Sequence, residues 1–403
     1  MTISQTLPAA AETERETLTA GTILARAQAV APRLRELSEE IERARRLPEE
    51  AVRLVRGTGV FRIGMRKEWG GPELTFSEQT QVIEALSYGD PAAGWCAMIG
   101  MDTWIYAGYL DESVVEEMLT DADAITAGLI FPVGRADRVP GGYRVTGRWP
   151  FGSGVTHADW VVGGCVVHSD GAPEPGRDGA PVNWRLMLVR REEIETVDTW
   201  HTHGLAGSGS TDYRVTDHFV PEDRTFDYTT PRDSSPFSAP DAFLGNVPGV
   251  PLGVARAALD HVRELAAHRV ERATDTPWSD SYRVQTVIGE AEMQLSAARY
   301  AVHGSLDELW NRLKNGVEAT PDQQVAAALA RLNAFRTARS IVQRLSDLVG
   351  TASIYRTSPL ERWLRDLHTM CQHILAQEQI AQSAGAHLIG GTPQAPFPLG
   401  LKG

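Results

Sequence analysis

The feature that most constrains the fold is the pattern of apolar residues along the 403 residues of the chain. This pattern changes from helical spacing to short strand-like runs and then back to helical spacing. From Thr22 the apolar residues recur every three or four positions, which predicts one face of an amphipathic helix: Ile23, Ala27, Val30, Leu34, Leu37 and Ile41. Further helices are predicted from Pro48 to Gly57, over 76–87 and over 92–109. The chain up to about residue 122 is therefore expected to be helical.

Short β-branched and aromatic runs follow, at 143–146, 160–167, 184–189 and 213–220. Gly, Pro and Asp separate them, most densely over 169–183, and this pattern is typical of a small β-barrel or sandwich. Long alanine-rich helices return from Pro251, predicted at 253–272, 281–313, 322–349 and 359–385. The sequence thus predicts an α+β protein with a disordered N-terminus (1–20), an N-terminal helical domain (21–122), a central β-domain (123–232) and a C-terminal four-helix bundle (233–403).

Charge and cysteine usage exclude several classes of protein. The net charge is −13 and no basic run with interleaved aromatic residues occurs, so nucleic-acid binding is not expected. Cys96, Cys165 and Cys371 lie far apart and match no CxxC or zinc spacing, and such a sparse set is typical of a protein in a reducing cytoplasm. Glu12, Glu14 and Glu16 stand where a signal peptide would need an apolar stretch, and no uninterrupted apolar run of about 20 residues occurs. We expect a soluble cytoplasmic protein without a membrane partner.

Common catalytic motifs are also missing from the sequence. Gly207-Ser208-Gly209 lacks the third glycine of a dinucleotide fingerprint, and neither a GxxxxGK[ST] loop nor a GxSxG elbow occurs. His201 and His203 form an HxH pair that could begin a metal site, but no third ligand stands at a suitable spacing. No metal is expected.

Five segments, taken in order, resemble motifs of the acyl-CoA dehydrogenase superfamily. They are Trp69-Gly70-Gly71-Pro72, the stretch Gly89–Trp95, the stretch Gly142–Gly154, the Gly-rich stretch Trp200–Ser210 and the stretch Pro359–Asp366. Each is weak alone, but all five fall in the right order on the predicted helix–strand–helix layout. The resemblance covers nearly the whole chain and implies an acyl-CoA dehydrogenase-like fold.

That fold implies a flavin, whose flat apolar ring requires an aromatic or aliphatic face and a few polar partners. The end of the Gly142–Gly154 stretch carries the candidates Trp149, Phe151, Ser153 and Gly154, and strand alternation would direct the first three to one face. The alternative is that the two aromatic residues are ordinary core and the serine forms a turn.

A second group of flavin-binding candidates comes from the Gly-rich stretch. There Ser208 and Ser210, with the neighbouring glycines, offer N–H groups for phosphate oxygens. A plain tight hairpin is the alternative interpretation.

The resemblance covers both dehydrogenases and oxygenases. A dehydrogenase needs a carboxylate base, but neither family location carries one: no Tyr-Glu-Gly-Thr segment occurs, and 243–246 contains no glutamate. Instead Arg362, Asp366 and His373 are spaced to share a helix face, while His368 should point elsewhere. By resemblance Arg362 binds the flavin, Asp366 is a catalytic candidate in the same pocket, and His373, also a catalytic candidate, lies near the reactive edge of the ring. For His373 a core or interface histidine is the alternative.

The resemblance therefore implies the oxygenase component of a two-component monooxygenase. A separate NAD(P)H:flavin reductase would supply FADH2 or FMNH2, and O2 would form a C4a-hydroperoxyflavin that hydroxylates or N-oxygenates a small aromatic, polyketide or amino-sugar-like substrate. Proteins of this fold are usually homotetramers. An acyl-CoA dehydrogenase or oxidase with an atypical base is the alternative.

Two positions depart from the pattern of the family: Ala206 stands where many of its members carry an arginine, and the second departure concerns the phenol hydroxylases of this group. Where those proteins often carry a histidine near the substrate, this sequence has Asp102. An aspartate there could bind an amine or act as a base, and a structural helix aspartate is equally compatible with the sequence.

Overall fold

A computed structural model describes residues 18–176, 181–227, 230–232, 235–239, 241–271 and 274–401. The N-terminal part is helical, with α1 at Ala20–Ala44, α2 at Glu49–Gly57, α3 at Phe76–Gly89, α4 at Pro91–Gly100, α5 at Thr103–Ala107 and α6 at Glu112–Met118. Capping boxes begin α1 at Thr19 and α3 at Thr75, and the Asp90 carboxylate accepts from the first N–H groups of α4. The helix predicted over 92–109 is interrupted between α4 and α5.

The central part is one mixed sheet. Its strands are β1 (Thr126–Val139), β2 (Gly142–Gly152), β3 (Trp160–Ser169), β4 (Ala172–Pro173), β5 (Trp184–Arg190), β6 (Glu195–Val197), β7 (Thr211–Pro221) and β8 (Thr225–Phe226). The order is β6-β7-β2-β1-β3-β5-β8, with β4 beside β3, and β1 runs parallel to β3. A barrel or sandwich was expected; the described strands form a single sheet with β6 and β8 at the ends of the hydrogen-bonded path.

The C-terminal part consists of α7 (Ala242–Gly245), α8 (Gly249–Ala266), α9 (Tyr282–Leu313), α10 (Pro321–Val349), α11 (Pro359–Met370) and α12 (Glu378–Leu388). The helix predicted over 359–385 is wrong in one respect, because it ends at Met370 and resumes at Glu378. Between them His373 has extended backbone angles and caps a short 3₁₀ turn, Ile374–Ala376. A side chain that bonds a backbone N–H nearby competes with continued helix, which explains the break.

The predicted helix–strand–helix order is confirmed. Helices end at Met118, strands run from Thr126 to Phe226, and helices resume at Ala242. Division into domains at 122/123 and 232/233 stays a prediction, and most of the N-terminal segment 1–20 falls outside the described residues. In the part of the chain that the structure describes, no helix is long and apolar enough to cross a bilayer.

Candidate active site

Three serine hydroxyls from two loops meet at one end of the sheet. Ser153 follows β2, and Ser208 and Ser210 precede β7; the Oγ atoms of Ser153 and Ser210, and of Ser208 and Ser210, are each 2.7 Å apart. We call this group the serine cluster. The Nε1–H of Trp95, on α4, donates to Ser153 Oγ over 3.1 Å. The structure thus brings together the serines that the sequence singled out in two separate motifs.

The hydrogen bonds of the serine cluster run in one direction. Ser208 Oγ donates to the Leu205 carbonyl over 2.7 Å, so the proton between Ser208 and Ser210 belongs to Ser210. The proton between Ser210 and Ser153 then belongs to Ser153, which accepts from Trp95. Every hydroxyl proton is used, while the oxygens retain acceptor capacity. The cluster therefore offers acceptors to a ligand that carries N–H groups.

A backbone hydrogen bond joins the loop that follows β2 to the loop that precedes β7. Gly154 has φ of 75°, a left-handed conformation that favours glycine, and its N–H donates to the Ser208 carbonyl over 3.0 Å. A Cβ at Gly154 would approach the His157 ring to 3.4 Å. The register of β2 against β7 shifts between Trp149 and Gly152, which turns the following residues out of the sheet.

That register shift overturns the expectation that Trp149, Phe151 and Ser153 share a face. Phe151 has φ of 61° and is 62% exposed, with its ring against Trp200, whereas Trp149 is 1% exposed. The Trp149 indole stacks on Tyr213 and donates to the Gly164 carbonyl over 2.8 Å. Trp149 is therefore packed in the core of the β-domain, as the alternative interpretation held, and a contact between Trp149 and the flavin stays a prediction.

His373 reaches the serine cluster through Trp95. The two rings meet edge to face with centroids 5.3 Å apart. Burial, reinforced by the positive charge of Arg331, lowers the pKa of His373 to about 4, so the ring is neutral near pH 7. Its Nδ1 accepts from the Leu375 N–H, which leaves the proton on Nε2 as a donor. His368, as predicted, points away and is exposed.

Asp366 and Arg362 lie behind the Gly-rich loop. The Asp366 carboxylate accepts from the Leu205 N–H over 2.6 Å, and Leu205 itself has φ of 50°. Burial raises the pKa of Asp366 to about 7. This contact favours a positioning role for Asp366 over the catalytic role that the resemblance implied. Arg362 reaches Glu42 at 3.8 Å, and its part in holding a flavin stays a prediction.

Asp102 lies in the turn between α4 and α5, seven residues after Trp95, and Met101 and Asp102 keep right-handed helical backbone angles, which favours the side of α4 that carries Trp95. Its side chain makes no hydrogen bond or ion pair with any residue in the described ranges. Burial raises the pKa of Asp102 well above its usual range, and burial is also the main cause that raises the pKa of the neighbouring Tyr106. The carboxyl group is thus disposed to carry a proton.

The surroundings of the serine cluster fit a flavin. The exposed ring of Phe151 and the half-buried ring of Trp200 offer aromatic surface, and the cluster offers acceptors. Two buried polar atoms without a partner in the described part of the chain follow Ser153 by three and four residues, Thr156 Oγ1 and His157 Nδ1. Two more, Arg362 Nε and Thr369 Oγ1, lie on α11, which contacts the Gly-rich loop at residues 204 and 205. Such atoms are costly unless a ligand or water bonds them. Across the described ranges, no group of three or more His, Cys, Asp or Glu side chains could hold a metal ion.

Sequence reasoning missed Trp95 and His157 as site residues. Trp95 stood in a quoted motif, and a signal was available, since an indole N–H in a buried helix requires an acceptor. His157 contributes an unpaired, buried Nδ1 beside Gly154. Burial and the charge of Arg56 lower its pKa to about 4. Nothing in the spacing of the sequence places this ring next to Gly154.

Comparison with protein families identifies both helical parts of the chain. Residues 23–127 match the model of the acyl-CoA dehydrogenase N-terminal domain, and residues 248–378 match that of the acyl-CoA dehydrogenase C-terminal domain. Together the two matches span more than half of the chain.

Individual relatives are similar over most of their length. An indole-3-acetate monooxygenase of Pseudomonas putida is 31% identical, with 88% of this chain and 90% of that protein covered. The flavin-dependent monooxygenase oxygenase subunit HsaA of Rhodococcus jostii is 28% identical, covering 85% and 91%. Among solved structures, XiaF from Streptomyces sp., in complex with FADH2 and glycerol, superposes with a TM-score of 0.85 at 26% identity, covering 94% and 97%.

Proposed function

The chain belongs to the acyl-CoA dehydrogenase family, and we propose that it is the oxygenase component of a two-component flavin-dependent monooxygenase. The observation that carries the proposal is the arrangement of His373, Trp95 and Ser153. A neutral histidine with its proton on Nε2 packs on the indole that donates into the serine cluster. A dehydrogenase would require a carboxylate base at this position.

The direction of the serine hydrogen bonds supports a reduced flavin. A reduced flavin ring carries more N–H groups than an oxidised one, and the serine cluster presents acceptors. Bound reduced flavin would supply the electrons that activate dioxygen. Ser153 and Ser210 would hold the ring edge, His373 would donate a hydrogen bond through Nε2, and Phe151 with Trp200 would cover the ring against water.

We propose a small aromatic substrate, supported by relatives named for indole-3-acetate and resorcinol. Asp102 would face the substrate rather than the flavin, since it lies two helical turns from Trp95. With its raised pKa it would donate a hydrogen bond to a polar group of the substrate, or would pair with a substrate amine after losing its proton.

The proposal also includes a flavin reductase as partner and a homotetramer. Along α9 the side chains of Tyr282, Met293 and Tyr300 are 83%, 63% and 82% exposed, at intervals of eleven and seven residues that place them on one face. Exposed apolar surface of this kind suits contact with a second copy. A molar mass four times the 44.0 kDa of the chain in light scattering would support the tetramer. A cytoplasmic location stays a prediction.

The test is incorporation of isotopically labelled dioxygen. The purified protein is incubated with NADH, a flavin reductase, FAD or FMN, and indole-3-acetate or resorcinol as probes. We expect a product that carries one labelled oxygen atom, and none when the protein is omitted. Reduction of a bound oxidised flavin by an acyl-CoA, without label in any product, would instead identify a dehydrogenase.

A further inference from the structure

A buried guanidinium group lies close to the segment that carries His373. Arg331, on α10, is 4% exposed, and its Nη2 donates to the carbonyl of Pro398 in the C-terminal turn Phe397–Leu399. One helical turn further along α10, the Phe335 carbonyl accepts from the Cys371 thiol over 3.7 Å, two residues before His373. The same stretch of α10 thus contacts both the C-terminal turn and the His373 segment.

The surroundings of Arg331 leave its charge only partly compensated. Burial lowers the pKa of Arg331 to about 10, so the guanidinium is charged near pH 7. The Asp241 carboxylate is near enough to oppose that shift, but it accepts from Gln324 Nε2 over 3.2 Å, and within the described ranges Arg331 Nε has no partner. Both Arg331 and Asp241 line a cavity of about 10 Å³, which has room for one water molecule.

The charge of Arg331 acts on the His373 ring. Burial is the main cause that lowers the pKa of His373, and the charge of Arg331 is the second. The Trp95 indole on α4 is uncharged, and burial raises the pKa of the Cys371 thiol, so that both stay neutral beside the ring and its segment. Of the charged groups in the described part of the chain, Arg331 is thus the one that opposes protonation of His373.

Protonation would remove the hydrogen bond that fixes the orientation of His373. Its Nδ1 accepts from the Leu375 N–H over 3.4 Å, and an imidazolium has no acceptor nitrogen. The turn Ile374–Ala376 would then lose its N-cap. A fixed positive charge nearby therefore preserves both the cap at Nδ1 and the donor at Nε2.

We propose that Arg331 is a positioning residue for His373, and that the Pro398 carbonyl holds Arg331 in place. The proposal rests on the proposed function, because His373 is the residue that would donate to the bound flavin. Arg331 would act through His373 alone, since the one hydrogen bond of its side chain in the described ranges is with Pro398.

The experiment follows coupling as a function of pH in variants that keep or remove this charge. Peroxide released per dioxygen consumed, and labelled product formed, are measured from about pH 5 to about pH 8 with the substrates, flavin and reductase named above. The variants are Arg331→Gln and the charge-retaining Arg331→Lys. A double variant, Arg331→Met with Asp241→Asn, removes both buried charges at similar volume, so that folding is retained even if Arg331→Gln is unstable.

The matched control is Arg344→Gln, which removes the same charge from the same helix at an ion pair with Glu290. Circular dichroism checks that each variant is folded. Asp366 and Asp102, whose pKa values burial also raises, are present in every variant, so their titration cancels when the profiles are compared.

The wild type, Arg331→Lys and Arg344→Gln should share one pH profile, without an acidic loss of coupling from His373, whose pKa is lowered to about 4. In Arg331→Gln and in the double variant, loss of coupling should begin on the order of one pH unit higher, the effect that one nearby charge produces. An unmoved profile in a folded variant, an equal loss at every pH, or the same shift in Arg331→Lys would overturn the role of Arg331 alone. If the wild type forms no labelled product at any pH, the proposed function fails as well.

Discussion

Replacing Asp366 by asparagine should stabilise the protein above neutral pH and leave acidic pH nearly unaffected. Burial raises the pKa of this carboxyl from 3.8 to about 7 on folding, so the native state favours its protonated form. Below about pH 4 the Asp366 carboxyl is protonated in both states, and the protein keeps its full stability. As the pH rises through about 7 the unfolded state loses the proton more readily than the native state, so the free energy of unfolding falls. Since each factor of ten in acidity corresponds to about 1.4 kcal/mol, the loss amounts to about 4 kcal/mol at most.

Asparagine does not titrate and retains an oxygen that can accept from the Leu205 N–H. The free energy of unfolding of Asp366→Asn relative to the wild type should thus increase by up to about 4 kcal/mol between about pH 4 and pH 8. Paired denaturant titrations across this range measure the difference, with the exposed Asp307→Asn as control. A difference that stays constant with pH would refute the argument that burial dominates at Asp366.

Three further predictions concern the site itself. His373→Ala should uncouple dioxygen consumption from product formation, which is measured as peroxide released per oxygen consumed. The substitution of the exposed His368 by alanine is the control and should leave coupling unchanged. Unchanged coupling in His373→Ala would contradict the role proposed for His373. Asp102→Asn should lower kcat/KM for substrate about tenfold or more without changing flavin affinity, and an equal loss of flavin affinity would place Asp102 elsewhere. Gly204→Ala would set a Cβ 2.1 Å from the Arg365 carbonyl oxygen and 2.6 Å from Thr369 Oγ1, so we expect destabilisation of about 1–3 kcal/mol in denaturant titrations; wild-type stability would contradict this packing.

The helix–strand–helix order could be predicted because helical and strand periodicities are local. The long strand β1 escaped prediction, since Pro132 and Gly134 interrupt its pattern and its register against β3 shifts at both. The break after Met370 escaped it for a different reason, because the cap at Ile374–Ala376 depends on the side chain of His373 itself.

The candidate site could be predicted in its residue types more than in its geometry. Ser153, Ser208 and Ser210 meet as the two motifs suggested. The register shift after Trp149 reversed the expected direction of that side chain, and a shift of this kind is set by the pairing of β2 with β7 rather than by the sequence of β2. The approach of Trp95 to Ser153 likewise depends on how α4 packs on the sheet.

The central claim, oxygenase rather than dehydrogenase, is tested most directly by the reaction of protein-bound reduced flavin with dioxygen. Anaerobic protein with reduced FMN or FAD is mixed rapidly with dioxygen while the absorption spectrum is followed. We predict a transient species distinct from both reduced and oxidised flavin, shortened in lifetime by His373→Ala. Reoxidation at the rate of free flavin, without such a species, would contradict the assignment.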